Sequence, residues 1–170
     1  AGLVDGTRAS KSSLRMIAIG EVDEANAAIG VAIAAMSEGR IRSNLLRIQN
    51  DLFDLGADVA TPGDVDGALR IIAPQVDRLE REIDDMNADL APLTSFILPS
   101  GSAAVASLHL ARTVVRRAER AAVALNEAEA LNPDVLAYLN RLSDHLFVAA
   151  RKVASSEDGD VLWQPGATRD

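Results

Sequence analysis

Apolar residues recur at spacings of three and four along five separate stretches of this 170-residue chain. That period places one apolar stripe on each of five helices, and such stripes pack against one another at shallow angles. No stretch has the alternating pattern of a half-buried strand. The sequence therefore predicts an all-α fold, a left-handed five-helix bundle similar to a four-helix bundle, with stripes at 22–36, 45–59, 76–90, 108–125 and 139–153.

Proline, glycine and capping residues separate these stretches, and none of them marks a domain boundary. Thr61-Pro62-Gly63-Asp64 ends the second helix, and Pro74 opens the third. Asn132-Pro133 supplies an N-cap followed by proline at the first position of the fifth helix. The length suits one domain, and the chain contains no internal repeat or linker. We expect a single domain over residues 1–170, with an irregular C-terminal tail at 155–170.

Charge and composition exclude several classes of protein. A net charge of −8 and a pI near 4.7 argue against a nucleic-acid-binding protein. The absence of cysteine excludes thiolate catalysis and cysteine-ligated zinc, and it fits a reducing compartment. No apolar run reaches the length of a membrane span, and the first residues lack the pattern of an export signal. The expectation is a cytoplasmic protein that binds neither nucleic acid nor a membrane.

Four arginines cluster in the fourth helix of this acidic chain, within Arg112-Thr-Val-Val-Arg116-Arg117-Ala-Glu119-Arg120. Residues three and four apart share a helix face, so Arg112, Arg116 and Glu119 form one stripe beside the apolar seam. Guanidinium groups in that position favour an anion such as a nucleotide triphosphate. The alternative is a solvated face held together by weak ion pairs. This segment alone does not decide between the two.

Two prolines keep residues 91–102 from forming a helix, although the centre of this segment, Phe96-Ile97-Leu98, is apolar. One alternative is that the apolar tip folds under the bundle. The other is that it is exposed, either as one wall of an apolar ligand pocket or as a subunit contact.

Two further polar groups lie next to apolar stripes. Asp23, among small residues of the first helix, is either an ordinary surface acid or the partner that orients an arginine of the fourth helix. Asn140 and Asp144 lie one turn apart on the fifth helix, and Phe147 continues the same face. Polar and aromatic groups together suggest a lined cavity, in which Asn140 is a candidate hydrogen-bonding group for a ligand.

No signature of a metal site or of a phosphate-binding loop is present. A dinuclear site in a helical bundle needs Glu-x-x-His pairs, which the chain lacks. His109 and His145 are therefore expected to be packing groups, or groups that support other site residues, rather than metal ligands. Because glycine-rich phosphate loops are also absent, a nucleotide would be held by side chains.

Six sequence blocks, taken in order, resemble the PduO-type ATP:cob(I)alamin adenosyltransferases over nearly the whole chain. One block alone could arise by chance, whereas six in register could hardly do so. The blocks are Arg8-Ala-Ser10-Lys11; Gly20-Glu-Val-Asp23-Glu24-Ala-Asn26; Gln49-Asn-Asp51-Leu-Phe53-Asp-Leu-Gly56-Ala; Phe96-Ile-Leu-Pro99-Ser-Gly101-Ser; Ala111-Arg112-Thr-Val-Val-Arg116-Arg117-Ala-Glu119-Arg120; and Leu139-Asn140-Arg141-Leu-Ser143-Asp144.

This resemblance implies a homotrimer with active sites between subunits. The family transfers the 5′-deoxyadenosyl group of ATP to the cobalt of cob(I)alamin and releases triphosphate, and an adenosylcobalamin-dependent enzyme is the expected acceptor of the product. By position, Asp23 and Arg112 would form an intersubunit ion pair, and Phe96 would press on the lower face of the corrin. The implied residues around ATP and its Mg²⁺ are Lys11, Arg116, Arg117, Ala118, Glu119, Arg120 and Asn140.

Two features depart from the family pattern. Members carry a Thr-Arg-Thr-Gly-Asp-x-Gly loop that wraps ATP just before the block at Arg8, whereas the sequence begins at Ala1 without it. Residues 1–13 are therefore expected to be the remainder of an ATP-binding segment. Ser100 replaces a usual glycine and is expected to cap the fourth helix. The alternative to the enzyme is a non-catalytic helical bundle that binds cobalamin and delivers it.

Overall fold

A computed structural model describes residues 1–170 and contains five α-helices. The prediction of an all-α, five-helix chain is confirmed, because strand pairing is limited to two isolated bridges, Gly2 with Arg8 and Ile97 with Leu162. None of the helices combines the length and the apolar character needed to cross a lipid bilayer. The helices are α1 Leu14–Ala34, α2 Arg40–Val59, α3 Ala73–Asn87, α4 Ala103–Ala128 and α5 Pro133–Ser155.

Helices α4 and α5 form the centre of the bundle. Helix α1 packs against α2 and α4, while α5 packs against α4 and α3. Fully buried alanines lie on both sides of the α1–α4 contact and let the two backbones approach closely: Ala18, Ala25 and Ala32 on α1, and Ala111, Ala118 and Ala122 on α4. Larger side chains such as Leu108, Leu139 and Leu142 fill the rest of the core. Burying each such side chain contributes about 1.5–3 kcal/mol.

Side-chain caps start three of the helices. Ser13 Oγ accepts from the Met16 amide at the start of α1, and Asn132 Oδ1 accepts from the Asp134 amide at the start of α5. The predicted Asn132-Pro133 start of α5 is thus confirmed. The expectation that Ser100 caps α4 was wrong, because Ser102 occupies the cap and accepts from the Val105 amide.

The cap of α4 lies two residues later than expected because Gly101 makes the turn into the helix. Its φ of +146° is a conformation that side chains rarely adopt. A Cβ at this position would also lie 2.9 Å from the Val105 side chain. The chain therefore needs one more turn residue after Ser100 before the helix can begin.

A buried carboxylate joins α2 to α3 and α5. Asp51 of α2 accepts a 2.8 Å hydrogen bond from the Tyr138 hydroxyl and pairs with Arg78 of α3. Burial, and then the negative charge of Asp51, raise the pKa of Tyr138. Because Asp51 pairs with groups of two other helices, the cluster sets how α3 lies against the centre of the bundle.

Two non-helical segments leave the same end of the bundle and pair with each other. Residues 91–102 connect α3 to α4, and the C-terminal segment follows α5. The Leu98 amide donates to the Val161 carbonyl, and the Trp163 amide donates to the Phe96 carbonyl, each at 2.8 Å. We call the paired residues 95–98 and 160–163 the clasp.

Candidate functional site

A cavity of about 650 Å³ opens between the 91–102 segment, α4 and α5. Its walls are half apolar, with a cation at one side: Leu93, Thr94, Ser95, Phe96, Ile97, His109, Arg112 and Phe147. Phe96 is 77% exposed. Of the two alternatives for the apolar tip, the structure therefore has the exposed one, and a bulky apolar partner has a wall to stack on.

Two nitrogens at the cavity wall are buried without a hydrogen-bond partner. They are Arg112 Nε and His109 Nδ1. Burial, and then the charge of Arg116, lower the pKa of Arg112, which still remains protonated at neutral pH. Burial, and then the charge of Arg112, lower the pKa of His109, so that its imidazole is neutral at pH 7. Unpartnered buried donors at a cavity wall are suited to receive an acceptor from a ligand.

The arginines of α4 divide into two groups. Arg117 donates to Glu21 of α1 at 2.6 Å and pairs with Glu24, and donation to Glu24 and then to Glu21 raises the pKa of Arg117. Arg112, Arg116 and Arg120 follow one another at intervals of four and have no such carboxylate partner. The alternative of a solvated face held by ion pairs thus applies to Arg117. The other three arginines form a row beside the cavity, and their charges are not paired.

Asn140 lies on the face of α5 that continues from the cavity. The His109 and Phe147 rings are 6.5 Å apart, which sets the register between the antiparallel α4 and α5. Two turns from this contact, Asn140 comes alongside Arg116, and its side chain is exposed. Asp144 is engaged elsewhere, since it pairs with Arg141 at 3.4 Å. The structure thus brings Phe96 and Arg112 to one cavity, and the helix register puts Arg116 one turn and Asn140 two turns farther along the two helices that border it.

Asp23 lies apart from that group. It is exposed on α1 and lines a groove toward α2 with Leu46, Gln49 and Phe53. Within one subunit, the acids of α1 that hold an arginine of α4 are Glu21 and Glu24, and Asp23 makes no ion pair. Lys11 is also exposed, in the turn that precedes α1.

Sequence reasoning left the role of one residue at this site open and missed another. His109 was expected to be a packing or supporting group; it is buried, and it also lines the cavity. Trp163 lies in a tail with no periodic pattern, but its ring centroid is 6.0 Å from that of Phe96. The position of His109 three residues before Arg112 was an available signal, since that spacing shares a face. No sequence pattern pointed to the partner of Trp163.

Replacing His109 with glutamine is expected to reduce the fall in the free energy of unfolding that occurs as the pH is lowered. The native pKa of His109 lies below its unfolded value of about 6.5. As the pH falls below that value, the unfolded chain therefore takes up a proton that the native chain does not, and stability decreases. Urea unfolding at pH 7.0 and 5.5 should show a smaller difference for His109→Gln than for the wild type. His145 is present in both proteins, so equal differences would contradict the role given to His109.

Comparison with known proteins identifies the family. A family model described as cobalamin adenosyltransferase matches residues 1–153. A corrinoid adenosyltransferase of Mycobacterium tuberculosis is 49% identical over 174 aligned residues, covering 99% of this chain and 89% of that protein. A cobalamin adenosyltransferase of Cupriavidus metallidurans is 50% identical, covering 96% of this chain and 88% of its own length.

Solved structures give the same result for the fold. A PduO-type ATP:corrinoid adenosyltransferase from Lactobacillus reuteri, solved as a phenylalanine-to-alanine variant with cobalamin and ATP, is 36% identical and superposes with a TM-score of 0.89. The match covers 96% of this chain and 93% of that one. An arginine-to-lysine variant of the same protein, complexed with ATP, has the same TM-score. With sequence identity near one half over almost the whole length, this chain belongs to the cobalamin adenosyltransferase family.

Proposed function

We propose that the cavity beside Phe96 and Arg112 is where this chain carries out the reaction of its family. In that reaction, the 5′-deoxyadenosyl group of ATP passes to cob(I)alamin, giving adenosylcobalamin and triphosphate. One observation carries the assignment: an exposed apolar wall, two buried nitrogens without hydrogen-bond partners and a row of arginines without carboxylate partners lie next to one another. One substrate is a large apolar-faced macrocycle and the other is a polyanion, and the two kinds of surface meet here.

The arginine row is our proposed triphosphate site. Arg116 and Arg120 are exposed, four residues apart, and without a carboxylate partner, so their forks of donors are available to phosphate oxygens. Asn140 comes alongside them from α5. We keep the following set as the proposed ATP-binding residues: Lys11, Arg116, Arg117, Ala118, Glu119, Arg120 and Asn140. Within that set, Arg117 would have to leave Glu21 and Glu24 to reach a phosphate. Ala118 is fully buried at the α1–α4 contact, so its side chain would support the helix and not touch ATP.

Phe96 is our proposed wall for the lower face of the corrin. The two structures of the Lactobacillus reuteri protein carry substitutions of a phenylalanine and of an arginine that lie twenty residues apart. Phe96 and Arg116 are also twenty residues apart in this chain. The shared spacing supports the correspondence of both residues. Phe147, on the opposite side of the cavity, supplies a second apolar surface.

The chemistry requires positioning and charge stabilisation rather than a protein base. The reduced cobalt of the substrate donates an electron pair to C5′ of ATP, the cobalt–carbon bond forms, and the C5′–oxygen bond breaks with its electrons on the departing triphosphate. No side chain has to remove a proton, so the reaction does not need the neutral imidazole of His109 as a base. Fixed guanidinium groups stabilise the charge that develops on the leaving oxygen. The apolar wall excludes water from the cobalt.

We further propose that the site is completed by a second subunit of a homotrimer. Asp23 and Arg112 lie on different faces of one subunit and cannot pair within it, whereas they can pair across an interface. Exposed apolar side chains surround Asp23: Phe53 is 72% exposed and Leu46 is 45% exposed. Large exposed apolar groups of this kind are typical of subunit contacts. An Asp23–Arg112 pair would hold the guanidinium at the mouth of the cavity.

The surroundings of the reaction follow from its substrates. Mg²⁺ would enter with ATP on phosphate oxygens, since the side chains do not bring together three histidine, aspartate or glutamate ligands. Cob(I)alamin is a strong reductant, which suits the reducing cytoplasm and a chain without cysteine. An adenosylcobalamin-dependent enzyme is the proposed acceptor of the product.

Mixing two inactive variants tests the reaction and the shared site together. Wild-type chain should convert chemically reduced cob(I)alamin and Mg-ATP anaerobically, with the absorbance change of cobalt–carbon bond formation. Asp23→Ala and Arg112→Ala should each be nearly inactive. In a randomly exchanged equal mixture, an interface is intact when the Arg112→Ala chain supplies Asp23 and the Asp23→Ala chain supplies Arg112. This arrangement occurs at about one interface in four, so activity should return to about a quarter of the wild-type value.

The control is the double variant Asp23→Ala/Arg112→Ala mixed with either single variant, which restores no intact interface and should remain inactive. Failure of the two single variants to complement, in a sample in which co-purification of differently tagged chains shows that subunits have exchanged, would contradict the intersubunit pair. Absence of turnover by the wild type would contradict the proposed function itself.

A further inference from the structure

One buried cation of α5 contacts both of the non-helical segments that form the clasp. Arg151, near the end of α5, is only 9% exposed. Its Nε donates to Asp160 Oδ2 at 3.0 Å, and one of its terminal nitrogens donates to the Ala91 carbonyl at 2.9 Å. Asp160 opens the tail half of the clasp, and Ala91 lies at the start of the segment that carries Phe96. A single guanidinium therefore fastens both segments to the same helix end.

The contacts beyond Arg151 lead directly to the ring at the cavity. After Asp160, the Val161 carbonyl accepts from the Leu98 amide, and the Trp163 amide donates to the Phe96 carbonyl. Ser95 Oγ donates to the Trp163 carbonyl at 2.9 Å. The rings of Phe96 and Trp163 then pack at 6.0 Å. The backbone of Phe96 is thus held by the tail, whereas its own side chain has almost no support from the core.

Neither half of the clasp belongs to a helix, and ordering such a segment is opposed by its conformational entropy. Apart from the backbone bonds within the clasp, the Arg151–Asp160 pair is the charged anchor of the tail, and both partners are largely shielded from water. Shielding makes the pair sensitive to the loss of either member, because the remaining charge and the Ala91 carbonyl would be left without a partner.

We infer that Arg151 is a positioning residue for the reaction: it fastens the tail to the 91–102 segment and so places Phe96 at the cavity. Arg151 is not among the residues that line the cavity, so it acts through Phe96 and not on a substrate. The inference rests on the proposed function for its catalytic consequence. The role of Arg151 in holding the clasp is independent of the proposed function, because it concerns contacts within the protein.

The single tryptophan of the chain reports on the clasp without any turnover. Trp163 lies within the clasp, so acrylamide quenching of its fluorescence measures how firmly the tail is held. Arg151→Met keeps an unbranched apolar stem and removes every donor. We expect Trp163 in this variant to become as accessible to acrylamide as a tryptophan in an unstructured peptide. Lys152→Gln, a change at the adjacent and more exposed position, should leave quenching and turnover as in the wild type.

Steady-state kinetics separate positioning from general damage. Arg151→Met should lower kcat for adenosylation about tenfold, since small misplacements of groups around the reacting atoms are costly. Its KM for ATP should stay within about twofold of the wild type, because Arg116 and Arg120, the proposed phosphate contacts, are not among the residues that line the cavity beside the clasp. Arg151→Lys, which can reach Asp160 but cannot fork to Ala91 as well, should give intermediate quenching and an intermediate kcat.

Asp160→Asn removes the same ion pair from the tail side. Because Asp160 lies outside any helix, this variant replaces Arg151→Met in the test if Arg151→Met does not fold. It should reproduce the increase in quenching and the fall in kcat. Unchanged quenching in both variants would overturn the clasp, and increased quenching with an unchanged kcat would overturn the positioning role. If the wild-type chain itself shows no turnover, the proposed function fails, and quenching alone still decides whether Arg151 holds the clasp.

Discussion

Replacing Arg116 with alanine is expected to abolish measurable turnover while leaving the bundle folded. Arg116 is exposed, lies in the middle of the arginine row and has no acidic partner whose charge would be left unpaired. Removing one group that stabilises developing charge typically costs about 10²–10³-fold in kcat. The lost contact to phosphate, worth about 1.5–3 kcal/mol, should also weaken ATP binding at least tenfold. Anaerobic kinetics and calorimetric titration with Mg-ATP measure the two effects separately.

Two matched variants sharpen that experiment. Arg81→Ala removes another exposed arginine, on α3 and away from the cavity, and should behave as the wild type. Arg116→Lys retains the charge but loses the planar fork, so it should still bind ATP and turn over more slowly. The related arginine-to-lysine variant from Lactobacillus reuteri was solved with ATP, which agrees with retained binding. Normal turnover by Arg116→Ala would show that the phosphate site lies elsewhere.

Replacing Phe96 with alanine is expected to slow the chemical step by about 10–10²-fold and to leave ATP affinity within about twofold. The ring is 77% exposed, so its removal opens no cavity in the core and should scarcely affect folding. What is lost is an apolar wall, and water or another ligand then gains access to the face of the cobalt that the ring covers. The measurements are kcat with cob(I)alamin, the dissociation constant for Mg-ATP and the urea unfolding curve.

Phe96→Leu separates the bulk of the ring from its aromatic face. If exclusion of water is the main effect, leucine should recover most of the lost rate, because it keeps much of the apolar volume. Leu69→Ala, a similar truncation at an exposed position of the α2–α3 connection, is the control and should have no effect. An unchanged rate in Phe96→Ala would remove the role of Phe96 at the corrin.

Much of the site could be predicted because its residues lie on single helices. The spacing of Arg112, Arg116 and Arg120 determines that they share a face once the helix is known. Phe96 stood out because two prolines keep this apolar tip out of a helix, although the sequence left open whether the tip is buried or exposed. For the shared face of the arginines, local sequence and local geometry are sufficient.

The remaining details depended on contacts between distant segments. Nothing around Trp163 indicates that its amide bonds to the Phe96 carbonyl, because that contact joins residues 67 apart through an isolated bridge with no strand pattern. Likewise, Arg117 and Arg116 are neighbours in sequence, yet only Arg117 meets carboxylates, since it faces α1. Which arginine is paired depends on the rotation of α4 against α1.

The sequence by itself determined the five helices and the family, because apolar periodicity and six ordered blocks are properties of the chain read in one dimension. It also determined which side chains carry charge and which are apolar. Only the tertiary structure decided that Phe96 stands exposed at a cavity, that Arg112 and His109 have buried nitrogens without partners, and that Arg151 ties the tail to the Phe96 segment. The physical reason is that burial, desolvation and hydrogen-bond satisfaction are set by the surroundings of a group, which side chains from other helices provide.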